Sequence, residues 1–155
     1  MIYLQQVQPG HVDDLLQFMK RFYEDDHIDF REERARSAAQ TLLGDEKAGK
    51  VWWIFDAETR IGYVAITYCF SLEFGGICAV VDELFLDADY RGRGIGLEAI
   101  RFVEQFCVEH GIGVLNLEVD RTNVRAQALY KKAGYIDRNN FLLTHWLTDP
   151  SAEQP

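Results

Sequence analysis

The chain has 155 residues, 48% of them hydrophobic and 13% aromatic, enough to fill one globular core, and no apolar run approaches the about 20 residues that cross a bilayer. Against 16 Lys and Arg stand 25 Asp and Glu, so the net charge of -9 argues against nucleic acid as a partner and serves either solubility or the steering of cationic molecules. The cysteines Cys69, Cys78 and Cys107 are odd in number and widely spaced, which argues against a disulfide framework or a zinc site, so no metal is expected.

The first residues, MIYLQQVQPG, lack the basic and apolar regions of a signal peptide, which places the protein in the cytoplasm, and residues 2–7 suggest a strand closed by a Pro-Gly turn. From His11 to Tyr23, Leu15, Leu16, Phe18, Met19 and Phe22 recur at helical spacing, and a second helix is expected over Arg31–Leu43. The segment YEDDHIDF between them is longer than the about 4 to 6 residues of an ordinary connection, so it is a candidate binding loop. VWWIFD and IGYVAITYCF, joined by the polar AETR, predict an antiparallel hairpin, and SLEFGG turns the chain into a third strand, ICAVVDELFL. A helix is expected from Ile95 to Gly111, a short strand at VLNLEV, a helix over Asn123–Lys132 ended by Gly134, and a last strand at FLLTHWL. One domain over residues 1–148 results, with 149–155 as a flexible tail.

Between ELFL and the helix at Ile95 lies RGRGIG, with glycine at 92, 94 and 96. A helix start leaves about four backbone N–H groups without partners and carries roughly half a positive charge, so an anion fits there. Glycine removes the Cβ atoms that would hold a pyrophosphate away, and Arg91 and Arg93 add formal charge. The Gly-Lys-Ser/Thr of a triphosphate loop is absent, and Leu97 stands where a dinucleotide fingerprint needs glycine. Taken alone, the run is equally consistent with a tight turn.

Downstream, NVRAQALYKKAGY adds a second motif, and with both in place the sequence resembles the GNAT superfamily of acetyl-CoA-dependent N-acetyltransferases. Its pyrophosphate motif is Gln or Arg, two variable residues, Gly, one variable residue, then Gly or Ala, matched by Arg91, Gly94 and Gly96. Asn123, Ala126, Leu129, Tyr130 and Gly134 match the later helix. The resemblance covers about residues 2–147 and implies an α/β fold: a twisted mixed sheet with splayed central strands, flanked by about four helices. It implies acetyl-CoA as cosubstrate, held by Arg91, Gly92, Arg93, Gly94, Ile95 and Gly96, by the strand end Leu84, Phe85 and Leu86, and by Asn123 and Ala126.

Acetyl transfer needs a neutral amine, whereas an alkylammonium with a pKa near 10.4 is mostly protonated at pH 7, so a proton acceptor is required. Glu83, at the end of its strand, is the candidate general base. Its neighbour Asp82 is expected on the opposite face unless a bulge intervenes. Tyr130, which the resemblance aligns with the family's leaving-group tyrosine, is the candidate acid for the departing thiolate; it shares a helix face with Asn123 and Ala126. Asp25, Asp26, His27, Glu73 and Asp82 are candidates for the acceptor pocket. Trp52, Trp53 and Trp146 are assigned to packing, with a homodimer contact left open. The expected reaction is direct acetyl transfer to a small cationic primary amine; a protein lysine or N-terminal acetyltransferase and a non-catalytic acyl-CoA sensor are the alternatives.

Overall fold

The computed structural model describes residues 1–148, so the expected tail at 149–155 lies outside the described residues. Five strands form one sheet in the order β1 (Ile2–Gln6), β2 (Gly49–Asp56), β3 (Thr59–Ser71), β4 (Gly76–Leu86), β5 (Leu115–Leu117). Neighbours are antiparallel except β4 and β5, which run parallel. The helices are α1 (Val12–Asp25), α2 (Glu32–Gly44), α3 (Ile95–Glu109) and α4 (Val124–Ala133).

Period-two alternation along the strands sorts side chains onto two faces, and each face buries its own helices. On one side Val51, Trp53, Tyr63, Ala65 and Phe85 pack against Leu15, Phe18 and Met19 of α1 and Ala35 and Ala39 of α2. On the other, Trp52, Val64, Ile66, Ala79 and Val81 meet Ile100, Val103 and Cys107 of α3, with Leu129 and Tyr130 of α4 packed against them. Trp52 and Trp53, adjacent in sequence, thus serve opposite cores and are 4% and 2% exposed, which leaves them no part in a subunit contact.

Two expectations fail. Residues 141–147, FLLTHWL, form no strand, and Phe141, Leu142, Leu143 and Leu147 are exposed. Their composition suits a pleated surface, but a strand exists only with a hydrogen-bonding neighbour, and among the described residues this segment pairs with no strand. The expected loop at YEDDHIDF is also shortened from its front: α1 continues through Asp25, and the Ile28 amide bonds back to the Tyr23 carbonyl at 2.8 Å.

Candidate active site

The site is organised by one extra residue in β4. Opposite β3, Glu83 pairs with Ala65 and Val81 with Ile66, so Asp82 has no partner and forms a β-bulge. Val81 and Leu84 both face the α3 side. The two residues between them are therefore displaced to the side of α1 and α2, and the expectation that Asp82 and Glu83 point apart is corrected by the bulge. The bulge also marks where β4 leaves β5. Their pairing runs only from Ala79 opposite Leu115 to Val81 opposite Leu117. Past that point the strands diverge around a cleft of about 590 Å3.

That cleft gathers most of the residues singled out in the sequence. Asp82, Glu83, Leu84, Phe85 and Leu86 line it from β4, Arg91, Gly92, Gly94 and Gly96 from the glycine run, Asn123, Ala126 and Tyr130 from α4, and Asp25 and Asp26 from the end of α1. Arg93, Ile95, His27 and Glu73 do not line it. Arg93 lies over the Tyr90 ring at 5.3 Å, Ile95 is buried against Ile54, Ile61 and Ala99, and His27 is exposed with φ 55°. Glu73 is paired with Arg138 at 2.5 Å in the hairpin loop.

Glu83 is held by both oxygens. The Tyr23 hydroxyl donates to Oε1 at 2.7 Å and the Tyr63 hydroxyl to Oε2 at 2.6 Å. Burial raises the carboxyl's pKa, the two phenols pull it back down, and the charge of Asp82 pushes it up again. The phenols are lifted above the usual tyrosine value, first by burial and then by the charge of Glu83. Tyr23 and Tyr63 escaped the sequence reading. Tyr23 ended a predicted helix and Tyr63 sat inside an apolar strand, and only the fold brings residues 60 and 20 positions from Glu83 onto it.

Gly94 and Gly96 do different jobs. Gly94 caps α3 at φ 87°, a conformation that L side chains rarely adopt. Gly96 lies inside α3, where a Cβ would come within 2.8 Å of Leu129 Cδ1, so its absence sets the close approach of α3 and α4. The Leu97 and Glu98 amides bond to the Gly94 carbonyl at 3.0 and 3.1 Å, which leaves the Ile95 and Gly96 amides as the donors of the helix start. Arg91, expected to supply charge, is engaged elsewhere: Nε donates to the Leu86 carbonyl at 2.6 Å, and the guanidinium pairs with Asp25. The cation beside the loop is Arg125, 3.6 Å from where a Cβ of Gly92 would stand. It lies on α4, between the matched Asn123 and Ala126, and its place over the loop could not be read from spacing.

At the start of α4 the Asn123 side chain accepts from the Ala126 amide at 3.0 Å and so caps the helix. Tyr130 packs edge-on to Tyr135, ring centroids 5.7 Å apart, and burial raises its phenol pKa. It lines the same cleft as the end of β4.

The model of the acetyltransferase (GNAT) family matches residues 14–135. The chain belongs to the GNAT family. It is an acyltransferase of the family's α/β fold. An uncharacterized N-acetyltransferase of Archaeoglobus fulgidus is 28% identical over 131 residues, 81% of this chain and 88% of the relative. The thialysine N-epsilon-acetyltransferase of Bos taurus is 31% identical over 77 residues, half of this chain and 45% of that one. Among solved structures, an integron cassette protein from the mobile metagenome of Cole Harbour Salt Marsh superposes with TM-score 0.84 at 29% identity, over 95% of this chain and 91% of its own. A predicted acetyltransferase of Clostridium acetobutylicum, solved with acetyl-CoA, gives TM-score 0.80 at 16% identity, over 94% and 96%. The GNAT donor fits this cleft chemically: free amides at the start of α3, no Cβ at Gly94 and the Arg125 cation suit a pyrophosphate, and the slot between β4 and β5 suits a thin acyl-bearing arm.

Proposed function

We propose that this GNAT enzyme moves the acetyl group of acetyl-CoA onto a small primary amine by direct attack within a ternary complex. The observation that carries the reading is the meeting, in one cleft, of a half-buried carboxylate on β4, a phenol on α4 and an anion cradle at the start of α3. Acidic groups supply the attraction for a cation: Asp25, Asp26, Asp82, Glu83, Glu118 and Asp120 all line the cleft.

In this reading the acceptor arrives as an ammonium and gives one proton to Glu83, directly or through water. The freed lone pair forms the new N–C bond at the thioester carbonyl, whose electrons move onto oxygen. Collapse re-forms the carbonyl and breaks the C–S bond. Tyr130 donates its proton to the departing sulfur while the nitrogen, still cationic after attack, gives its second proton to water, leaving amide and CoA. The phenoxide of Tyr130 then regains a proton from solvent. Tyr23 and Tyr63 keep Glu83 oriented and counter the rise that burial imposes on its carboxyl.

A screen of CoA release against simple amines, amino sugars, aminoglycosides and lysyl peptides tests this. Turnover with a small amine and none with peptides is expected. Turnover confined to peptides would make the enzyme a protein acetyltransferase, and CoA binding without turnover of any amine would refute the reading.

A further inference from the structure

We propose that the acceptor enters by a second cleft, on the α2 side of the sheet, and that Asp82 receives its ammonium at the junction with the donor cleft. This rests on the N-acetyltransferase reading above. The second cleft, of about 700 Å3, runs between α2, β3 and the segment carrying Trp146. Its α2 wall is built by Arg34, Ser37 and Thr41, which recur at steps of three and four and so share one helix face. Across from them stands Thr67 of β3.

Asp82 alone, among the described residues, lines both clefts. The bulge explains how one side chain does so, because it turns Asp82 toward α2 at the level where β4 departs from β5. In a ternary complex the slot between β4 and β5 is taken by the donor's arm, so the amine needs another route to the same carbonyl. Both oxygens of Glu83 already accept hydrogen bonds, while Asp82 makes no hydrogen bond or ion pair with the described residues. An ammonium arriving along α2 therefore meets an uncommitted carboxylate first, with Glu83 adjacent to take the proton.

The cleft's chemistry narrows the acceptor. Hydroxyls of Ser37, Thr41 and Thr67 present hydrogen-bonding groups, and the Thr41 hydroxyl, donating to the Ser37 carbonyl at 3.0 Å, is left to accept. The Trp146 indole offers an apolar face. Arg34, with Cζ 5.9 Å from that ring's centroid, stands against a second ammonium on the acceptor's body, while Glu33 and Asp82 supply the negative charge. A single amine on a hydroxylated ring, the chemistry of an amino sugar, fits better than a linear polyamine.

The test compares glucosamine, spermidine and Nα-acetyl-lysinamide as acceptors, with acetyl-CoA affinity measured separately by calorimetry. Glucosamine is expected to have the highest kcat/KM. Ser37→Trp, on an exposed helix position, is expected to raise its KM at least about tenfold, the cost of a blocked pocket contact, and to leave the Kd for acetyl-CoA unchanged. Asp82→Asn is expected to raise the same KM with the same unchanged Kd. An unaltered KM in Ser37→Trp overturns the route, and a preference for spermidine overturns the hydroxylated class. Failure of the whole panel, with acetyl-CoA still bound, refutes the enzymatic reading and this inference with it.

Discussion

The Tyr63 hydroxyl lies 2.6 Å from Oε2 of Glu83, and it is the stronger of the two phenol contacts that counter the effect of burial on that carboxyl. A hydrogen bond to the charged form lowers an acid's pKa, so its removal must raise it. Tyr23→Phe and Tyr63→Phe are therefore expected to move the acid limb of the kcat/KM profile to higher pH, Tyr63→Phe further. Measuring that limb in both variants checks the sign; a shift to lower pH, or none, would show that the phenols do not support the working carboxylate.

Replacing Glu83 by Gln keeps its size and leaves partners for both phenols, while it removes the proton acceptor. Turnover at neutral pH is expected to fall about 100- to 10,000-fold and to recover in part as pH rises and free amine becomes abundant. Steady-state rates from pH 6 to 10 decide this. Full activity at pH 7 would move the proton to Asp82 or to water.

Tyr130→Phe preserves the edge-on contact with Tyr135 and deletes only the acid. Acetyl-CoA affinity should hold, while kcat and kcat/KM fall together, because the lost interaction belongs to the transition state. Thioesters of more acidic thiols need less protonation on leaving, so the defect should shrink across such a series. A defect of constant size would make Tyr130 a packing residue.

Two exposed cations at the loop, one on α4 and one in the glycine run, are expected to behave differently. Arg125 lies against Gly92, whereas Arg93 covers Tyr90 outside the cleft. A charge-assisted contact is worth about 1.5–3 kcal/mol, so Arg125→Ala should weaken CoA binding by about tenfold or more and flatten its salt dependence. Arg93→Ala should change either little. Titration calorimetry at two ionic strengths separates them, and equal losses would discard the assignment.

Local signals announced what is local. Gly94 fell where the helix start needs it, and the periodicity of α3 survives intact from Ile95. Asn123 was marked only by its match to the later motif, and its role as the cap of α4 comes from the structure, where its side chain accepts from the Ala126 amide. What the chain order could not show was any relation settled by strand register. The bulge at Asp82 depends on which residues of β3 stand opposite, and nothing in VVDELFL marks it. The partner of Arg91 was hidden for the same reason: its charge was evident, but the Asp25 that engages it lies 66 residues earlier. FLLTHWL misled because composition announces a willingness to pair and says nothing about a mate.

Asp82 is the one residue of β4 that the sheet could do without. Remove it, and Val81, Glu83, Leu84 and Phe85 fall back into strict alternation, each on the side it already occupies, with no core contact rearranged. The shortened chain should still fold. It would, however, have no reason for β4 to swing away from β5 after Val81, so the slot would tend to zip shut as its free carboxylate vanished. The architecture and the chemistry are thus separable by a single deletion: a protein lacking Asp82 should melt as one cooperative unit and neither bind CoA nor acetylate an amine.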